Sequence, residues 1–413
     1  MPSGRGVLVS ATGIAVWAAA RLLGSTTLHM VAVGIVMLPF VAALFARWSR
    51  QRLRIRRRLS EARVQPGQRV HVELEVENQT PTQTSFLLVE DRLPPQLGRS
   101  ARLVIASLRP KARQRVRYSI TPHQRGRYVL GPLTVDMSDP FALTKLRVEF
   151  DEREELVVTP EVEPLGGGPD SPFGVASGFA LAKHLFRTGD EFYTMRPYQE
   201  GDDLRRIHWP SVARSGQLMI RQDESTRRST AVVFLDTRET AVGRNHSPSF
   251  EKCVSAAASI GVLLSRYGFS LRLATSHLLP TPATEEHLLE VLAGVGHHTE
   301  RALSAGLTRL RSVAAGDTTL VVVTAPPQPP ELTSLIRAGV VFGPKIAILV
   351  YPTDPAALPP DRQSQLEGRA SSARLSLSRS GWDVLVLPPT GRLRDAWQQQ
   401  SRDLRPALIA SSR

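Results

Sequence analysis

Two apolar runs at the head of the chain constrain its architecture more than any other feature. Val7 to Leu23 holds no acid, and its one basic residue, Arg21, stands near the end, where a long side chain can reach the headgroups. After Gly24-Ser25-Thr26-Thr27 a second run extends from Leu28 to Trp48. The pair predicts a two-helix transmembrane hairpin within residues 1–50. Pro39 kinks the second helix without excluding it, because a neighbouring helix can satisfy the freed carbonyl. Ala18-Ala19-Ala20 resembles a signal cleavage site, yet the second run would remain as an anchor after cleavage.

The flanking charge sets the expected topology. Arg47, Arg50, Arg52, Arg54, Arg56, Arg57 and Arg58 cluster at and beyond the end of the second run, and Arg5 precedes the first. Positive charge on both outer ends of a hairpin keeps those ends inside, so a multi-pass cell-membrane protein with a cytoplasmic body is expected. The cluster reads as a stop-transfer flank that can also meet acidic lipid headgroups.

The chain's 413 residues exceed what one core normally organises, so several domains are expected. Its formal charge of +14 is carried chiefly by arginine. A basic nucleic-acid binder would gather those arginines on one face of the soluble body, and their concentration beside the membrane makes this the weaker alternative. The single cysteine, Cys253, excludes an intrachain disulfide framework and reads as a small buried filler in an apolar helical pattern.

Within 51–162, Val70, Val72, Leu74 and Val76 alternate with His71, Glu73, Glu75 and Glu77, the period of a half-buried strand. Similar runs recur at 86–90, 102–108, 115–120, 127–130, 133–135 and 156–159, punctuated by Pro and Gly, which predicts an antiparallel β-sandwich. A linker is expected over 163–188, rich in Gly and Pro. From 229 to 413 strands and helices alternate. Ala231–Leu235, Ser270–Ala274, Thr319–Thr324, Lys345–Tyr351 and Trp382–Leu387 read as strands of a doubly wound α/β domain with a parallel sheet. Its ligands would sit at the C-terminal strand ends, where Asp236 stands.

Between linker and α/β domain, residues 189–228 hold the most distinctive segment: Arg196, Tyr198, Gly201, Asp202, Asp203, Arg205, Ile207, His208, Trp209, Ala213 and Arg214. Gly201-Asp202 suits a turn and helix cap, with Ile207 and Trp209 anchoring the segment on a core. The charges fit a structural ion-pair network, a docking surface for an acidic partner or anion, or acid/base catalysis through Asp202, Asp203 and His208. No nucleophile or metal set accompanies them. A P-loop, a nucleophile elbow, a His-Glu-x-x-His helix and a dinucleotide glycine loop are all absent from the sequence.

Arg196-x-Tyr198-x-x-Gly201-Asp202-Asp203-x-Arg205-x-Ile207-x-Trp209 with Ala213-Arg214 resembles the signature of the bacterial domain-of-unknown-function-58 family. Arg125-Gly126-Arg127-Tyr128-x-x-Gly131-Pro132 and Asp139-Pro140-Phe141 resemble its upstream motifs, while Pro197 and Ala142 depart from it. The resemblance implies a von Willebrand factor A-like α/β domain and a MoxR-type AAA+ ATPase as partner. Such domains commonly hold Mg²⁺ on Asp-x-Ser-x-Ser; here Asp236-Thr237-Arg238-Glu239-Thr240 keeps Asp236 and Thr240 and puts a cation between them. A hard divalent ion needs several oxygens and a guanidinium repels it, so no cofactor is expected and Arg238 is expected to fill the cation's place. The combined expectation is a membrane-anchored, non-enzymatic interaction or assembly protein; the alternative is a hydrolase or other enzyme built on the charged segment.

Overall fold

The computed structural model describes residues 4–50, 53–81, 83–84, 86–138, 145–165, 193–199, 207, 209–223, 229–299 and 302–400. They form two compact units, 1–159 and 160–413. Each is described by itself.

The first unit opens with α1 (Gly4–Leu23) and α2 (Thr26–Arg50), each long and apolar enough to cross a membrane. They pack on small residues. Gly6, Gly13 and Ala20, seven apart, are buried on α1, and Ala32 and Ala42 on α2. A Cβ on Gly13 would lie 2.7 Å from Val36 Cγ2 and 3.2 Å from the Val36 nitrogen, so only glycine permits this approach. Leu8, Leu22, Leu23, Met30, Phe40 and Leu44 point outward. Small residues inside and large apolar ones outside is the pattern of helices surrounded by lipid.

Among the described residues ten strands follow: β1 (Leu53–Leu59), β2 (Arg63–Val64), β3 (Val70–Asn78), β4 (Leu87–Asp91), β5 (Ala101–Ile105), β6 (Arg113–Ile120), β7 (Gly126–Leu130), β8 (Leu133–Ser138), β9 (Lys145–Phe150) and β10 (Glu154–Val158). They make three small sheets, ordered β1-β3-β6, β2-β10-β7 and β5-β4-β8-β9, around one apolar core. Val70, Val72, Leu74 and Val76 face that core, as their alternation requires.

The arginine cluster is more than a flank to the helices. Leu53 to Leu59 alternates as a strand, with Arg54, Arg56 and Arg58 outward. Arg57 points inward, where its guanidinium donates to both Asp91 oxygens, at 2.6 and 3.1 Å, and to the carbonyls of Leu130 and Glu152, each at 2.9 Å. Tyr118 donates to the same carboxylate at 2.6 Å. Burial, then the Asp91 charge, pushes the Tyr118 hydroxyl well above the usual phenol range.

In the second unit, Glu163 and Leu165, at the head of the expected linker, are instead packed. Leu165 is buried in the core, and Glu163 accepts from Lys252 at 3.1 Å and from the Arg394 amide at 3.0 Å. Residues 166–188 lie outside the described residues. A hairpin of β11 (Tyr193–Pro197) and β12 (Met219–Asp223) carries α3 (Trp209–Ser215) between its strands.

The main sheet combines β13 (Thr230–Leu235), β14 (Ser270–Thr275), β15 (Thr281–Ala283), β16 (Thr318–Thr324), β17 (Lys345–Val350) and β18 (Asp383–Leu387) in the order β15-β14-β13-β16-β17-β18. All pairs are parallel except β14 with the short edge strand β15. Val233 and Leu235 pack beneath α5 (Pro248–Arg266) and α6 (Glu285–Gly294), and Val232 and Phe234 meet α7 (Leu303–Arg309), α8 (Pro329–Gly339) and α9 (Pro360–Arg379) on the opposite face. The near-continuous apolar runs of β13 and β16 follow from this two-sided burial.

Candidate functional site

The chain leaves β13 toward β14 on one side and later returns to place β16 on the other, so strand order reverses at β13. A crevice opens at the C-terminal ends of strands around such a reversal. Asp236, the first residue after β13, is fully buried there. Ser276, just past β14, donates to Asp236 Oδ1 at 2.9 Å, and Thr324, the last residue of β16, donates to Oδ2 at 2.7 Å. Three strand ends thus converge on one carboxylate.

Arg238 completes the cluster. Its backbone N–H and Nε donate to Asp236 Oδ1 at 3.1 and 2.9 Å, its Nη2 to Oδ2 at 2.8 Å, and its Nη1 to Glu331 of α8. Glu331 also accepts from the Gln328 amide at 2.9 Å in the capping box that starts α8. Burial favours the neutral guanidine, but Asp236 and then Glu331 outweigh it and hold Arg238 above its ordinary range. The pair is therefore charged, desolvated and mutually satisfied.

These residues do not fit a divalent ion. Five donors already occupy the Asp236 carboxylate, and a hard cation would have to displace a guanidinium bonded at both ends. Thr240, which the resemblance pairs with Asp236, is exposed on the short helix α4 (Glu239–Val242).

Around this plug the loops form a rim. The His277 and His298 rings stack with centroids 4.6 Å apart, tying the loop after β14 to the segment after α6. The His298 amide donates to the Thr237 carbonyl at 2.6 Å, and the Glu239 amide to the His298 carbonyl at 3.0 Å. Arg244 pairs with Glu239 at 2.7 Å and holds that carboxyl below its ordinary range. Outside the stack, Leu278 and Leu279 are 42% and 62% exposed.

The charged segment is only partly described. Gly201, Asp202, Asp203, Arg205 and His208 lie outside the described residues. Arg196 is on β11 opposite Ile220, and the Tyr198 amide donates to the Leu218 carbonyl at 2.8 Å. Ile207 bridges to Ile220 and is half-buried. Trp209 corrects the expectation of a core anchor: it opens α3, a helix with no buried residue, and is 66% exposed. Ala213 and Arg214 are exposed on the same helix.

Ser276, Thr324, Glu331, Leu278 and Leu279 were not singled out in the sequence. The first two carried a usable signal as hydroxyls ending apolar strands, and Glu331 stands three residues after Gln328 and just past two prolines. Nothing in the sequence separates Leu278-Leu279 from core leucines.

The model of the family described as "Protein of unknown function DUF58" matches residues 194–384. The "Uncharacterized protein YeaD" of Bacillus subtilis (strain 168) is 23% identical over 269 residues, covering 62% of this chain and 65% of its own length. The CARDB domain of PF1109 from Pyrococcus furiosus aligns with 26% of this chain and 90% of its own at 19% identity and a TM-score of 0.20. The Pseudomonas fluorescens alkylpurine DNA glycosylase AlkC aligns with 30% of this chain and 39% of its own at 15% identity and a TM-score of 0.17. Scores this low carry no argument about fold or activity. The signature at 196–214 and the parallel sheet through β17 fall inside the matched segment, and residues 194–384 are what this chain shares with the DUF58 family.

Proposed function

We propose that the protein is a membrane-anchored, non-enzymatic interaction or assembly factor, held by the α1–α2 hairpin with its body in the cytoplasm. Its von Willebrand factor A-like domain binds a protein partner at the C-terminal ends of β13, β14 and β16, and its β-sandwich stands next to the anchor in the chain. The observation that carries the reading is the filled crevice. Asp236 and Arg238 neutralise each other at the C-terminal end of β13, and the exposed Leu278 and Leu279 follow β14 at the same end of the sheet. A neutralised site with exposed apolar residues at the same end of the sheet suits a protein surface. The partner class, a MoxR-type AAA+ ATPase, rests on the family resemblance.

Co-purification from native membranes tests this reading. The intact chain should retain an ATPase that a Leu278→Glu/Leu279→Glu variant loses while staying folded in the membrane. Equal recovery with both forms, or no ATPase with either, would refute it.

A further inference from the structure

The outward face of the β1-β3-β6 sheet carries three rows of charge in register. Arg54, Arg56 and Arg58 on β1 stand opposite Glu77, Glu75 and Glu73 on β3, which stand opposite Arg113, Arg115 and Arg117 on β6. Six cations and three anions leave an excess of three positive charges on one small surface. The central glutamates lean to one side. Arg117 pairs with Glu73 at 2.6 Å, Arg113 with Glu77 at 3.3 Å and Arg115 with Glu73 at 3.7 Å. Glu73 is held below its ordinary value first by that Arg117 bond, with Arg58 contributing only at a distance. Among the described residues no ion pair or side-chain hydrogen bond holds Arg54, Arg56 or Arg58.

This uncompensated row lies beside the membrane helix in the chain. β1 starts three residues after α2 ends at Arg50. At the full reach of a chain, Arg54 is at most roughly 14 Å and Arg58 at most roughly 29 Å from that end. Alternate residues on a strand are roughly 7 Å apart, so the three guanidiniums can meet separate phosphates. A cleft of about 330 Å³ opens along the same strand, where Arg54 and Arg56 face Phe150 and the two acids Asp151 and Glu152, so the headgroup contact is assigned to the open row of arginines and not to this cleft.

We infer that this face docks onto the membrane surface by binding anionic phospholipid headgroups through Arg54, Arg56 and Arg58. The inference rests on the anchored reading, since the hairpin is what brings the face to the bilayer. Docking would lay the sheet against the headgroups and limit how the attached body can swing.

The test uses the full chain in nanodiscs of phosphatidylcholine alone or mixed with phosphatidylglycerol. A fluorescent donor is placed at Ser119→Cys, which lies two residues beyond Arg117 on the same exposed face, and the acceptor is a headgroup-labelled lipid. The native Cys253 is fully buried and stays unlabelled. Energy transfer should be stronger in the phosphatidylglycerol discs and fall with added salt. Each of Arg54→Gln, Arg56→Gln and Arg58→Gln should lower the ratio of docked to undocked protein roughly fivefold. Charge-matched single controls on the other two sheets, Arg102→Gln, Arg127→Gln and Arg147→Gln, should each leave it unchanged. Transfer independent of lipid composition and salt, or equally affected by the controls, would overturn the docking face and leave the arginines as guards of an edge strand. Failure of the chain to enter discs at all would instead overturn the anchored reading, so the two failures are distinguishable.

Discussion

Arg238 Nη2 lies 2.8 Å from Asp236 Oδ2, and both side chains are withdrawn from solvent, at 2% and 0% exposure. A buried pair of this kind adds little net stability over an apolar replacement, but breaking it is costly. Asp236→Asn should therefore destabilise the α/β unit by about 3 kcal/mol or more, because it strands a desolvated guanidinium. Arg238→Gln should also destabilise, and the double variant should cost clearly less than the sum, as residues in one network do. Urea unfolding of the purified chain measures all three. Additive losses would mean that the two residues do not act together.

Because the Arg238 guanidinium already engages both oxygens of Asp236, calorimetry with Mg²⁺ or Mn²⁺ should show no stoichiometric binding to the intact chain. Tight one-to-one binding would contradict the plugged crevice.

Glu163 gives a pH signature. Burial raises its carboxyl, but the Arg394 amide and Lys252 outweigh that and hold it below its ordinary value. A depressed carboxyl contributes stability above its unfolded value, about 4.3, and loses it as pH falls through the folded value. Glu163→Gln should therefore destabilise at neutral pH, and its deficit against the native chain should shrink in acid. A deficit that stays constant down to low pH would rule out the ionised form as its source.

Cys253 is fully buried on α5, and burial together with the Asp236 charge pushes its thiol up. Thiol reagents should leave it unmodified in the folded chain at neutral pH and modify it completely in denaturant. Rapid labelling of the native protein would show that α5 is not seated on β13.

Gly13 is the contact point of the hairpin. Gly13→Leu should force α1 and α2 apart by roughly 1–2 Å, since helix separation follows the side chains at the contact. Spin labels at Leu8→Cys and Leu44→Cys, both outward-facing, report this distance. An unchanged distance would mean that the helices do not meet at Gly13.

Much of this architecture was legible because burial leaves a period in the sequence. β13, β14, β16, β17 and β18 lie where their apolar runs put them. The alternation of Val70 to Val76 fixed β3 equally well. β1 was hidden because the arginines that mark its outward face also fit a membrane flank, and the partners of the inward Arg57, Asp91 and the Leu130 and Glu152 carbonyls, lie 34 to 95 residues away. Trp209 misled for the opposite reason: a large aromatic usually packs, but α3 buries none of its residues. At the site, Asp236 was legible as the end of an apolar strand, and its pairing with Arg238 was an expectation drawn from the family resemblance. Ser276, Thr324 and Glu331 reach the same point from 40 to 93 residues away, a convergence that only the sheet order creates.

The central claim is a tethered protein whose partner meets the C-terminal ends of the sheet. A photo-cross-linking residue at Leu279 samples that rim, and one at Val340, exposed just after α8, samples the opposite end. In native membranes, position 279 should capture an AAA+ ATPase and position 340 should not. Equal capture from both positions, or an ATPase captured only from 340, would contradict the account.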